Sequence, residues 1–119
     1  MAPISVSFGD ELEIAFTLEY SLAAVGRRPD KATFEFVELL FFCNAAKKQA
    51  EAPPWCSPGR LKVTQDNQKV TFRATLADPG NPTFFARDEV WGVEAVYRGD
   101  DGSKSQPEYS LPLGDIKFQ

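Results

Sequence analysis

The sequence predicts an all-β fold, an antiparallel β-sandwich of seven or eight strands, and three observations lead there. Apolar and polar residues alternate with a period of two over several stretches. Turn-forming clusters separate those stretches, and nine prolines leave little room for helix. The 119 residues fall in the common size range of one domain and can bury roughly two-thirds of the unfolded surface. A single domain over residues 1–119 is therefore expected. Ten Phe, three Tyr and two Trp supply the large side chains of its core.

Taken in order, Ile4, Val6 and Phe8 alternate with Ser5 and Ser7, and Gly9-Asp10 turns the chain. Leu12, Ile14, Phe16, Leu18 and Tyr20 then alternate with Glu11, Glu13, Ala15, Thr17 and Glu19, giving one apolar and one wet face. The segment 34–43 departs from this rhythm. Phe34 and Phe36 share a face, and continuing in register would bury Glu38. A β-bulge near Val37 would instead turn Val37, Leu39, Phe41 and Cys43 inward and leave Leu40 and Phe42 outward beside Glu38. Two outcomes stay open: Leu40 and Phe42 form an exposed association patch, or a further layer covers that face as well.

Residues 44–51, with Ala45-Ala46-Lys47-Lys48-Gln49-Ala50, are the best helical candidate, a short helix ending before Pro53-Pro54. Leu61 and Val63 make a short strand, and Asp66-Asn67 turns it into a second strand with Val70, Phe72, Ala74 and Leu76 inward. Residues 78–82 read as a loop. Trp91, Val93, Ala95 and Tyr97 form another inward row, followed by the turn Gly99-Asp100-Asp101-Gly102.

Composition excludes much chemistry. Histidine is absent, which removes Ser–His and Cys–His nucleophile pairs and most zinc sites. A net charge of −4 argues against a nucleic-acid groove, and Arg27-Arg28 and Lys47-Lys48 are too small for a basic stripe. The longest apolar run, Leu39-Leu40-Phe41-Phe42-Cys43, is too short for a membrane-spanning helix. Met1-Ala2-Pro3 opens no signal peptide, so the expectation is a cytoplasmic protein or an excised mature extracellular domain. No cofactor and no metal is expected.

The carboxylates Asp10, Glu11 and Glu13, Asp88-Glu89 and Asp100-Asp101 suit solvated turns and outer faces better than a paired-carboxyl hydrolase site. Asp100-Asp101-Gly102-Ser103 lacks the spaced ligands of a calcium loop. Loop aromatics carry more information. Trp55 lies in Ala52-Pro53-Pro54-Trp55-Cys56-Ser57-Pro58, where prolines stiffen the backbone, and Phe84-Phe85 follow Asn81-Pro82-Thr83. Trp55 with Pro54, and Asn81 with Phe84 and Phe85, either present a flat platform to a protein or a sugar, or plug the ends of the sandwich. Cys43 and Cys56 would close a loop of about 14 residues, worth roughly 3 kcal/mol if bridged; two reduced thiols are the alternative.

Near the end of the chain, Trp91-Gly92-Val93-Glu94-Ala95-Val96-Tyr97 runs into Asp101-Gly102-Ser103. This segment resembles the F–G hairpin of fibronectin type III and related immunoglobulin-like domains, although Phe16 stands where the fibronectin type carries its early Trp. The resemblance implies an immunoglobulin/fibronectin-III-like sandwich, and such domains serve adhesion, recognition or assembly. The expected function is thus a non-catalytic protein-interaction or assembly module, with a protein partner or self-association through Trp55, Pro54, Asn81, Phe84, Phe85, Leu40 or Phe42. A carbohydrate-binding module is the alternative, and a hydrolase ranks last.

Overall fold

The computed structural model describes residues 3–18, 36–65, 67–76, 85–98 and 109–119. Tyr20, Arg27-Arg28, Phe34, Asp66, the 78–82 loop with Asn81, Phe84, and the turn at 99–102 lie outside the described residues. Those described form two β-sheets and no helix. One sheet runs in the order β1 (Ile4–Val6), β9 (Tyr109–Phe118), β8 (Val90–Arg98), β3 (Phe36–Cys43), β4 (Lys48–Glu51), with β6 (Leu61–Lys62) pairing the same strand β3 as β4 does. The other runs β2 (Glu11–Thr17), β7 (Lys69–Thr75), β5 (Cys56–Ser57). Every pairing is antiparallel except that of β1 with β9, which is parallel.

Alternation sets the inner faces. On β7, Val70, Phe72 and Ala74 are buried while Thr71, Arg73 and Thr75 are exposed. Ile14 sits opposite Phe72 in register, and Phe16 stacks on Phe72 with ring centroids 6.1 Å apart. From the facing sheet come Val37, Leu39, Phe41 and Cys43 of β3, Trp91, Val93, Ala95 and Tyr97 of β8, and Ile116 and Phe118 of β9. All these side chains join one apolar cluster, so the two sheets share a single interior. Fully burying one such large side chain contributes roughly 1.5–3 kcal/mol.

The inward set of β3 matches the sequence expectation, but the bulge lies elsewhere. From Phe36 to Phe42, β3 keeps one register with β8. The irregularity falls between Val93 and Glu94 of β8, where β9 skips Leu113. That extra residue brings both Leu111 and Ile116 toward the cluster despite their odd spacing. Gly114, beside it, has φ +145°, a backbone conformation that side chains rarely tolerate.

Three further corrections concern residues 44–65. The candidate helix at 44–51 is a four-residue turn followed by β4. Eight residues are too few to sustain a helix alone, and Leu40–Cys43 at the edge of β3 offer Lys48–Glu51 a ladder instead. Lys47, with φ 54°, closes that hairpin. The expected hairpin between Leu61 and Leu76 also fails to form, because Leu61 and Lys62 pair with Val37 and Phe36 and β5 takes the edge of β7. The Gln68 side chain bridges the crossing: it accepts from the Thr64 N–H at 2.8 Å and donates to the Lys62 carbonyl at 3.2 Å. These short pieces bring the described strands to nine rather than seven or eight.

Candidate interaction surface

The loop aromatics are packed. Trp55 is half-buried, with edge contacts to Phe41 at 4.8 Å and Phe85 at 5.3 Å between centroids. Phe85 is buried, edge-on to Trp91 at 5.0 Å and stacked on Phe118 at 4.5 Å. These rings close one end of the sandwich as a continuous aromatic run. Pro54 is exposed beside it. Trp55→Ala is expected to lower the unfolding free energy by about 2 kcal/mol, and the melting temperature by on the order of 8 °C, in a thermal melt followed by circular dichroism. A platform ring standing off the core would leave the melt unchanged.

Leu40 and Phe42 point outward from β3, as do Phe36 and Glu38, and this face is partly covered by its own side chains. Glu38, 9% exposed, accepts from Arg60 Nη2 at 3.0 Å, and the Arg60 guanidinium lies 4.6 Å from the Phe36 ring centre. The Phe42 ring lies over Gly92, its register partner on β8, in the space a β-carbon would fill. Val96, on the same outer face, is also buried. Leu40 and Phe42 are each half-buried, which places this face between the two outcomes left open by the sequence.

A third surface was not singled out by sequence reasoning. Leu12, Ile14 and Phe16 face inward from β2, yet none is fully buried. They border a groove of about 220 Å³ that reaches Val93, Leu113 and Ile116 on the other sheet. Ile4, at the mouth, is 65% exposed although it shares the inward parity of buried Val6. Glu13 and Asp115 form the polar rim.

The backbone beside this groove is open. Asp10 C=O accepts from Leu76 N–H at 2.8 Å, and Gln68 C=O accepts from Leu18 N–H at 2.8 Å. In an antiparallel pair this phase gives the even-numbered residues of β2 to β7. The N–H and C=O groups of Glu11, Glu13, Ala15 and Thr17 therefore point to the other side, where no strand pairs with β2 among the described residues. The available signal in the sequence was the Glu11/Glu13 row on an otherwise regular strand, since charge is common on open edges.

The titratable groups are mostly tied into structure. Asp10 Oδ2 accepts from Ser7 N–H at 2.7 Å and shapes the turn before β2. Arg73 on β7 reaches both Glu11 and Glu13, each at 3.4 Å. Glu89 accepts from Ala86 N–H at 2.8 Å, Lys48 Nζ at 3.1 Å and Trp91 Nε1 at 3.4 Å. Its partial burial pushes the carboxyl up, but the Ala86, Lys48 and Trp91 donors outweigh this and hold it below the usual range. Cys43 and Cys56 are unbridged and buried, facing the core from β3 and β5, and burial pushes the Cys56 thiol up to about 11. Among the described residues no three Cys, Asp or Glu side chains group closely enough to hold a metal ion.

A scan against family models finds none that matches this chain, and searches of curated proteins and of solved structures likewise find no match.

Proposed function

We propose that this protein is a non-catalytic interaction or assembly module, an immunoglobulin-like β-sandwich that takes up an extended polypeptide by strand addition at β2. The strand order supports the immunoglobulin-like part. A sheet with β2, β7 and β5 faces a sheet with β9, β8 and β3, as the B, E, D and G, F, C strands do in that architecture, and β4 extends the second sheet beside β3. The observation that carries the binding site is a backbone row with no pairing strand among the described residues, lying along an apolar groove on the same strand. Main-chain bonds to Glu11, Glu13, Ala15 and Thr17 would give affinity, and alternate apolar side chains of the incoming strand would enter beside Leu12, Ile14 and Phe16.

Amide hydrogen exchange with a synthetic seven-residue peptide of alternating Thr and Val tests this reading. In the monomer, at low micromolar protein concentration, the amides of Leu12, Ile14 and Phe16 are expected to exchange slowly, because β7 holds them, and those of Glu13 and Ala15 fast. At millimolar peptide the Glu13 and Ala15 amides are expected to slow about tenfold or more, a gain of at least ~1.4 kcal/mol in protection. Unchanged exchange at these two amides removes the strand-addition site.

A further inference from the structure

We infer that the strand occupying the β2 edge is β2 of a second copy of this chain, so that two three-stranded sheets join into one across a twofold axis. The inference rests on the strand-addition reading above and adds the identity of the occupant. The groove calls for an extended segment with apolar residues at alternate positions and its own backbone free on one side. β2 is such a segment: Leu12, Ile14 and Phe16 alternate with Glu11, Glu13, Ala15 and Thr17, and its outer edge is unpaired among the described residues.

Register decides whether two such strands can meet. The free donors and acceptors are odd-numbered, so odd residues must oppose odd residues in the hydrogen-bonded pairs. Centring the pair on Ile14 sets Glu13 opposite Ala15 of the second copy and Glu11 opposite Thr17, and uses every free position of the strand. No carboxylate then faces another directly, and each Glu keeps Arg73 of its own chain at 3.4 Å. Sliding one copy by two residues in one direction sets Glu13 against Glu13, which is repulsive. Sliding it the other way leaves Glu11 with no partner within β2. The Ile14-centred register alone satisfies both the ladder and the charges. It also brings Leu12 against Phe16 and Ile14 against Ile14, which covers side chains that the single chain leaves half-exposed.

Two substitutions test this directly. Ala15→Pro removes an N–H that faces the open edge rather than β7, a position where a strand tolerates proline. The wild-type chain is expected to sediment as a dimer at high micromolar concentration, and Ala15→Pro as a monomer with an unchanged circular dichroism spectrum. Ile14→Cys places two thiols in a non-hydrogen-bonded pair about 4.5 Å apart at Cα, within disulfide reach. Mild oxidation is expected to link two copies of Ile14→Cys and not of Ala15→Cys. This readout serves even if Ala15→Pro fails to fold.

A dimer that persists in folded Ala15→Pro, or a covalent link formed by Ala15→Cys instead, overturns the inference. A wild-type chain monomeric at millimolar concentration whose Glu13 and Ala15 amides still slow with the Thr-Val peptide overturns self-pairing and leaves the edge as a site for another strand. A monomer insensitive to that peptide overturns both.

Discussion

Phe85→Ala is expected to lower the unfolding free energy by about 4 kcal/mol, the largest effect of any single truncation considered for this protein. Phe85 is 4% exposed and touches three aromatic rings at once: Trp55 and Trp91 edge-on, and Phe118 face to face. Its removal leaves a void between Trp91 of β8 and Phe118 of β9, and the strand backbones hold both rings too firmly to close it. The loop that carries Trp55 also loses one of its two ring contacts with the core. A melting temperature reduced by on the order of 15 °C would mark this plug as part of the cooperative unit. A loss of about 1 kcal/mol or less would mean that the ring run is loosely packed, and that the end of the sandwich can open independently.

Glu89→Ala is expected to cost about 2–3 kcal/mol near neutral pH, because it removes the carboxylate that accepts from the Ala86 N–H, the Lys48 ammonium and the Trp91 indole N–H together. The ion pair is only partly buried, with side-chain exposures of 29% for Lys48 and 15% for Glu89, so solvent screening keeps the effect below that of Phe85. Glu89→Gln separates charge from hydrogen bonding and should cost about 1 kcal/mol. The pH dependence has a definite sign. The folded protein holds this carboxyl below its ordinary value of 4.5. Its contribution is therefore complete above that value and disappears as pH falls through the lower, folded one. Melts from pH 7 downward should bring the wild type and Glu89→Gln together on the acid side. A gap that stays constant through that range would mean that the charge on Glu89 contributes nothing to stability.

Alternation made the central strands legible. Leu12 to Phe16, Val70 to Leu76 and Trp91 to Tyr97 each turn inward the face that their period-two pattern assigns, and the inward set of β3 follows from keeping Glu38 on the outer face. Partners were not legible. Leu61 and Lys62 look like the first arm of a hairpin, but pairing is decided by which edge is free, and β3 had one. Local propensity misled at 44–51, where Ala and Lys favour helix but tertiary ladder bonds to β3 prevailed. The shift at Leu113 lies beside Gly114, whose positive φ no pattern of apolar residues announces. The β2 site was hidden for the same reason as the pairings. A half-apolar strand reads identically whether its neighbour is present or missing, and only the sheet order exposes the open row.

The parallel contact between β1 and β9 also bears on how the molecule would respond to mechanical load. Ile4 lies beside Ile116 and Val6 beside Phe118, with Gln119 N–H adding a bond to Val6 C=O at 2.9 Å. Tension applied upstream of Ile4 and downstream of Phe118 would drag these two strands past each other along their own axes. Every cross-strand bond would then be strained in shear simultaneously, instead of being peeled open in succession, so this short seam would resist stretching before the interior could be pulled apart.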